Sequence, residues 1–127
     1  MSAGISNEDL AALRSRGQEQ DAPRGQVLVR EGASGGSLFV ILSGSVAVSR
    51  GGRRLAELGA GDLLGEVAML DGTARSASAV VETEARLLVV PASAVHDLVG
   101  ERPTLRQALE RSAAAHGSRD PGSGSII

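Results

Sequence analysis

The sequence has no cysteine, lysine, tryptophan or tyrosine, and its single aromatic residue is Phe39. Without cysteine the chain has neither a disulfide framework nor a thiolate metal site. With so few aromatic rings, the core must be built from Val, Leu, Ile and Ala, and only Phe39 could stack on a nucleobase. All 13 basic residues are arginine and the formal net charge is −2. This charge balance gives no reason to expect binding to nucleic acid or to an anionic membrane.

Long apolar runs are also missing. No stretch approaches 18 continuous apolar residues, so we expect no helix that crosses a membrane. Residues 1–10 carry Glu8 and Asp9 without an apolar run, which does not fit a signal peptide. We therefore expect a soluble cytoplasmic protein. The 127 residues are enough for one domain with a sizeable core.

Helical patterns flank a central region that is punctuated by glycine. Ser6 to Arg16 is typical of a helix, because Ser6 or Asn7 can cap it and Gly17 can end it. After Pro91 the sequence predicts two further helices, 92–99 and 103–115. Residues 117–127 are rich in Gly, Ser and Pro and predict a flexible tail.

Between Pro23 and Pro91, short apolar runs alternate with glycines at a spacing of roughly 8–12 residues, which favours an antiparallel sandwich or barrel. Ser43-Gly44 and Gly51-Gly52 are the clearest hairpin signals. The predicted strands include 27–29, 38–42, 46–48, 55–58, 76–81 and 86–90.

One stretch combines the residue types that bind a sugar phosphate. It runs Gly65-Glu66-Val67-Ala68-Met69-Leu70-Asp71-Gly72-Thr73-Ala74-Arg75-Ser76-Ala77. Backbone N–H groups at a helix start attract anions, and a guanidinium pairs with phosphate oxygens. A carboxylate nine residues before that arginine can accept a hydrogen bond from a sugar hydroxyl.

This stretch closely resembles the phosphate-binding cassette of the cyclic nucleotide-binding domain family, whose members include catabolite activator protein-like and cAMP-dependent protein kinase regulatory subunit-like proteins. The family pattern is Gly-Glu-x-Ala-Leu-x(n)-Arg-Ser/Thr/Ala-Ala, and Met69 stands where Leu is usual. Other segments resemble the family's first strand and turn, its hairpin and its approach to the cassette: 23–32, 38–46 and 58–66. The resemblance extends over about residues 5–116.

The resemblance implies a mainly β fold, an eight-stranded antiparallel β-roll (a double-stranded jelly roll) with flanking helices. It divides the chain into an N-terminal helical segment, a roll containing the cassette with its short helix, two C-terminal helices that act as a lid, and a flexible tail. The corresponding ranges are 1–22, 23–91 with the cassette at 61–77, 92–116 and 117–127.

The resemblance also assigns roles within the cassette. Glu66 accepts a hydrogen bond from the ribose 2′-hydroxyl, and Arg75 pairs with the cyclic phosphate. Gly65, Val67 and Ala68 present backbone N–H groups to the ligand. Two more residues complete the motif at its end: Ser76, whose hydroxyl reaches the phosphate or the purine edge and is linked with tolerance of guanine, and Ala77.

An apolar slot for the base is implied next to the cassette. Leu63, Val80 and Val81 are candidates for its walls, and Leu105 and Leu109 for a lid that closes over it. Core packing is the alternative role for each of these five residues, and the sequence leaves both open.

Together these features predict a binding module rather than an enzyme: a sensor for cAMP or cGMP that needs no metal. His96 and His116 are too few and too far apart in sequence for a metal site. The partner that receives the signal is an unknown effector protein, a fused output domain or a second copy in a homodimer. The alternative is a structural or protein-interaction module that keeps the fold without the ligand.

Overall fold

The computed structural model describes residues 5–33, 36–66 and 74–117. In this part of the chain one antiparallel sheet of six strands carries a helix before it and two helices after it. The elements in chain order are α1 (Asn7–Arg16), β1 (Gln18–Ala22), β2 (Val27–Val29), β3 (Ser37–Arg50), β4 (Arg53–Leu58), β5 (Leu63–Leu64), β6 (Ser78–Pro91), α2 (Ala92–Glu101) and α3 (Pro103–Gly117).

Helix α1 begins and ends as the sequence predicts. The Ser6 side chain accepts a hydrogen bond from the backbone N–H of Asp9 at 3.1 Å, which satisfies one of the free donors of the first turn. Gly17 follows the last helical residue and donates its N–H to the carbonyl of Arg14. Leu13 is fully buried and attaches the helix to the rest of the domain.

Two long strands form the centre of the sheet. Strands β3 and β6 pair along most of their lengths, and their register shifts several times between Ile41 and Val46. Gly44 lies in this irregular stretch with a φ of +87°, and a Cβ atom there would lie 2.4 Å from the carbonyl oxygen of Glu84. The strands therefore bend where β6 approaches β3 too closely for any side chain.

This bend corrects two predictions. The hairpin expected at Ser43-Gly44 is wrong, because Gly44 bends a continuous strand instead of reversing the chain. The strands expected at 76–81 and 86–90 are likewise one strand, β6. The described residues form six continuous strands, whereas the resemblance implies eight. A glycine signals positive φ in a turn and in a bulge alike, so the sequence alone does not separate the two.

The second hairpin prediction is confirmed. Gly51 and Gly52 have φ values of 58° and 79°, and Arg50 pairs with Arg53 across the turn. Positive φ at both central residues is what a type I′ turn requires, and its twist suits the flanking strands.

Strand β1 corrects the N-terminal boundary. Residues 18–22 fall within the segment predicted as helical, 1–22, but they pair with β6 along its second half. The strand is polar, and Ala22 is its buried residue. Arg86 on β6 donates hydrogen bonds to Glu19 and Asp21. Pairing with a distant partner strand therefore decides this structure, and local propensity does not.

Two buried clusters occupy opposite faces of the sheet. Leu38 and Val40 contribute to one, whereas Phe39 and Ile41 pack in the other, as the alternation of a strand requires. We call the first the helix-side cluster, because α1, α2 and α3 pack against it: Leu13, Leu38, Val40, Leu63, Leu88, Val90, Ala94, Val95, Leu98, Leu105 and Leu109. We call the second the inner cluster: Ala22, Val29, Ile41, Val46, Val48, Leu58, Leu64, Ala77, Ala79, Val81, Ala85 and Leu87.

A buried carboxylate ties α1 to the junction of α2 and α3. Asp9 is 1% exposed and accepts hydrogen bonds from Arg102 Nε at 2.8 Å and Thr104 Oγ1 at 3.1 Å. Burial raises the pKa of Asp9, but the hydrogen bonds from Arg102, Thr104 and Ser6 outweigh it and hold that pKa below its usual value. The start of α3 is thereby fixed to the N-terminal helix. None of the helices in the described ranges is long and apolar enough to cross a membrane.

Candidate functional site

Arg75 is held in a buried position by two backbone carbonyls. Its Nη1 donates to the carbonyl oxygen of Gly65 at 2.8 Å, and its Nη2 donates to that of Ser37 at 3.0 Å. Its backbone pairs with the loop after β2, through Arg75 N to Ala33 O at 2.7 Å and Gly32 N to Arg75 O at 2.8 Å. The residue is 6% exposed. Side chain and backbone are therefore both fixed, and the guanidinium has a defined direction.

Two glycines make room for this guanidinium. Gly65 has a φ of +99°, and a Cβ atom there would lie 2.5 Å from Arg75 Nη1. Gly36 has a φ of +106°, and its Cβ would lie 2.7 Å from Arg75 Nη2. Each glycine thus has both a conformational and a steric reason to be glycine. Gly65 is predicted from the sequence motif, whereas Gly36 and the Ser37 carbonyl are not.

Glu66 lies two residues beyond β5 and directly follows Gly65, whose carbonyl accepts a hydrogen bond from Arg75. Its side chain is completely buried, and its Oε2 accepts a hydrogen bond from the hydroxyl of Ser112, 46 residues later on α3. Ser112 is also buried. Ser112 is not predicted from the sequence, in which its one signal is a hydroxyl within an alanine-rich part of the last helix.

The electrostatics couple the two charged residues. Burial lowers the pKa of Arg75, and the negative charge of Glu66 acts in the opposite direction. An arginine remains protonated under either influence at neutral pH. The site therefore holds a permanent cation in a poorly hydrated position, where its attraction for an anion is stronger than at an exposed surface.

Ser76 and Ala77 follow Arg75 toward β6. The Ser76 hydroxyl oxygen is buried, and it has no hydrogen-bond partner among the described residues. Its backbone carbonyl accepts a hydrogen bond from Arg50 Nε at 2.9 Å. Ala77 is fully buried in the inner cluster. Ser76 thus brings a hydroxyl with unused bonding capacity next to the guanidinium-bearing residue.

The residues expected to surround the base divide between the two faces of the sheet. Val81 lies in the inner cluster, and Val80 next to it is half-buried. The predicted leucines of the slot and lid pack together in the helix-side cluster: Leu63, Leu105 and Leu109. In this structure these leucines have the role of core packing, which the sequence left open as the alternative. Contact of any of the five with a ligand stays a prediction.

Part of the predicted site lies outside the described residues. This applies to Val67 and Ala68, to the rest of the cassette helix and to the segment 118–127 of the expected tail. Within the described ranges, no three His, Cys, Asp or Glu side chains gather as they would around a metal ion.

Comparison with known proteins gives a consistent result. A family model described as cyclic nucleotide-binding domain matches residues 19–102. The chain is 33% identical over 116 residues to the CRP-like cAMP-activated global transcriptional regulator of Mycobacterium tuberculosis, covering 87% of this chain and 52% of that protein. It is 34% identical over 98 residues to the cGMP-dependent protein kinase egl-4 of Caenorhabditis briggsae, covering 77% of this chain and 13% of the kinase.

Solved structures agree. The crystal structure of Thermus thermophilus catabolite activator protein superposes with a TM-score of 0.77 at 32% sequence identity, covering 88% of this chain and 55% of that one. The chain therefore spans about half the length of the bacterial regulators that it matches.

Proposed function

Because this chain belongs to the cyclic nucleotide-binding domain family, we propose that it binds cAMP or cGMP at a site formed around Arg75 and Glu66. The observation that carries the proposal is the arrangement of these two residues. A buried guanidinium is held by the carbonyl of Gly65, and the next residue along the chain is a buried carboxylate. One cation and one acceptor in the same site suit a ligand with a phosphate beside a sugar hydroxyl.

Arg75 binds the cyclic phosphate. A guanidinium has five N–H donors, and two of its nitrogens already donate to the carbonyls of Gly65 and Ser37. Its remaining N–H groups suffice for a charge-assisted contact with phosphate oxygens, and the fixed carbonyl bonds give that contact a direction. The backbone N–H groups of Gly65, Val67 and Ala68 complete the phosphate and ribose contacts in this proposal.

Glu66 accepts the ribose 2′-hydroxyl, and Ser76 contacts the phosphate or the purine edge. The buried Ser76 hydroxyl supports its part, since it has bonding capacity that no described residue uses. Cyclic AMP and cyclic GMP both stay within the proposal, because the names of the matched proteins include a cAMP-activated regulator and a cGMP-dependent kinase. The base lies against the roll, near Val80 and Val81.

We further infer that the domain is an allosteric regulatory module that signals through its C-terminal helices. The hydrogen bond from Ser112 to Glu66 supports this, because it joins the ligand site directly to α3. We also propose that the sheet is a double-stranded jelly roll in which each half of the bent strands β3 and β6 acts as a separate strand, and the register shifts in β3 support this. The receiver of the signal is an effector protein or a fused output domain, and the setting is the cytoplasm.

One observation favours the second candidate, an interaction module that no longer binds a ligand. Arg75 and Glu66 both have hydrogen-bond partners within the protein, so each is satisfied in part by the fold itself. In this second candidate, Arg75 and Glu66 stabilise the fold through these contacts and do not bind a ligand.

Calorimetric titration separates the two candidates. We expect cAMP or cGMP to bind and to raise the unfolding temperature, because a ligand that binds only the folded state stabilises it. The non-cyclic 5′-nucleotide and the variant Arg75→Ala are the negative controls, and Arg53→Ala, an exposed arginine on β4, is the matched positive control. Absence of binding by both cyclic nucleotides overturns the proposal in favour of the interaction module.

A further inference from the structure

The carboxylate proposed to bind ribose is already engaged by the protein itself. The Ser112 hydroxyl donates to Glu66 Oε2, and the exposed fractions of the two residues are 5% and 0%. The contact is between an alcohol and a carboxylate. A ribose 2′-hydroxyl offers the same chemistry to the same acceptor.

We propose that Ser112 is a built-in competitor of the ligand, whose hydroxyl occupies the place on Glu66 that the ribose 2′-hydroxyl takes. The inference rests on the proposed function and adds to it a residue that sets both the affinity and the preference for ribose. Binding exchanges one O–H donor for another at Oε2, and the released donor belongs to α3.

Because Glu66 is buried, we expect the ribose hydroxyl to replace the Ser112 hydroxyl at Oε2 rather than to bind beside it. Glu66 is fully covered by the protein itself, and Arg75 is 6% exposed. A hydroxyl that reaches Oε2 therefore has to replace a group that is already packed there. The hydrogen bond from Ser112 is charge-assisted and buried, and such bonds are about twice as strong as neutral ones. A ligand that needs Oε2 has to break this hydrogen bond as it binds, and the free energy of breaking it lowers the affinity of that ligand.

The rest of α3 restricts the movement that follows. Leu105 and Leu109 are fully buried in the helix-side cluster, and Thr104 is bonded to Asp9. Ser112 lies one turn beyond Leu109. Release of Ser112 therefore frees the end of the helix while its first two turns stay in place. This end is where the signal of an occupied site leaves the domain.

The test is titration of the full chain with cAMP and with 2′-deoxy-cAMP, for the wild type and for Ser112→Ala. We expect Ser112→Ala to bind cAMP about tenfold or more tightly, because the free state loses a hydrogen bond to a charged group. The gain for 2′-deoxy-cAMP is much smaller, since that ligand has no 2′-hydroxyl to replace Ser112. Ser112→Thr, which keeps the hydroxyl, retains wild-type affinity.

Two controls make the result specific. Ser93→Ala is a matched serine substitution at an exposed position of α2 and leaves affinity unchanged. In the background Glu66→Gln, the gain from Ser112→Ala falls to about threefold or less, because the two substitutions remove the same contact. Ser112→Cys, a weaker donor of similar size, gives a gain in the same direction if the alanine variant does not fold.

Unchanged or weakened cAMP binding in Ser112→Ala overturns the inference while leaving the proposed function in place, because Ser112 then supports Glu66 in the bound state. Absence of nucleotide binding in the wild type and in every variant overturns the proposed function, and this inference with it. Binding by Ser112→Ala alone supports both.

Discussion

Asp9 and Glu66 are both buried carboxylates near an arginine. Arg102 donates a hydrogen bond to Asp9, whereas Arg75 acts on Glu66 through its charge and donates its hydrogen bonds to backbone carbonyls. Asp9 accepts hydrogen bonds from the guanidinium of Arg102 and the hydroxyl of Thr104. Glu66 accepts a bond from the neutral hydroxyl of Ser112. Both sites hold α3, the first at its start and the second in its third turn.

The difference indicates which carboxylate is structural. A charged partner compensates the burial of Asp9, and removing that partner leaves an uncompensated charge. A neutral hydroxyl is a partner that a ligand hydroxyl can replace with little change in bonding. We therefore expect Asp9 to control stability and Glu66 to control affinity, and four predictions test this division.

The largest expected effect is that of Arg75→Ala on affinity. Loss of the charge-assisted phosphate contact weakens cyclic nucleotide binding by about 30- to 1000-fold, roughly 2–4 kcal/mol. Calorimetric titration measures it, with Arg53→Ala as the control. Titration curves equal to those of the wild type would remove Arg75 from the ligand site and leave it as a structural bridge between Gly65 and Ser37.

The second effect concerns stability. Asp9→Ala removes the acceptor of Arg102 and Thr104 and lowers the free energy of unfolding by about 2 kcal/mol. Urea denaturation measures this, and the neighbouring exposed residue gives the matched control Glu8→Ala, with a change of about 0.5 kcal/mol or less. Affinity for the nucleotide stays within about threefold of wild type. A stable variant with lost binding would reverse the roles assigned to the two carboxylates.

The third effect is smaller and selective for the sugar. Glu66→Gln replaces a strong acceptor with a weaker one and lowers cAMP affinity by about tenfold, with far less effect on 2′-deoxy-cAMP. Paired titrations of the two ligands decide it. Equal losses for both would mean that Glu66 shapes the loop after β5 and makes no contact with ribose.

The smallest effect is the dependence of stability on pH. The hydrogen-bonding partners hold the pKa of Asp9 below its usual value, despite the opposite effect of burial. The stabilisation is therefore present above the pKa of Asp in the unfolded chain, about 3.9, and is lost as the pH falls through the lower folded pKa.

Denaturation of wild type and Asp9→Ala at several pH values between about 7 and 2 measures this effect. We expect the difference in unfolding free energy between the two proteins to shrink at the acid end. A difference that stays constant over the whole range would mean that Asp9 acts through packing and not through its charge.

Local signals in the sequence predicted the elements that depend on neighbouring residues. Helix α1 follows from Ser6, its apolar positions and Gly17, and the Gly51-Gly52 hairpin follows from two residues that tolerate positive φ. Arg75 and Glu66 could also be named from the sequence, since they lie in one short motif. The structure places both of them in buried positions next to Gly65.

The sequence did not predict features that depend on distant partners. Strand β1 is polar and becomes a strand by pairing with β6, and Gly44 bends a strand because Glu84 and Ala85 lie against it. The sequence leaves open whether Leu63 lines the ligand site or the core, and it does not distinguish Leu63 from Leu64. A strand sends neighbouring side chains to opposite faces. The packing of the helices decides which of the two faces becomes the helix-side cluster and which becomes the inner cluster.

The sequence by itself determined the residue types of this site: an arginine, a carboxylate and glycines at the spacing of a known motif. Tertiary structure decided what surrounds them. Gly36 and the Ser37 carbonyl are part of the site because β3 begins beside the arginine. Ser112 is part of it because α3 packs against Glu66, from which Ser112 is separated by 46 residues in the chain. Hydrogen bonds between residues so far apart in the chain leave no periodicity or motif, because their geometry exists only after the sheet and the helices have packed.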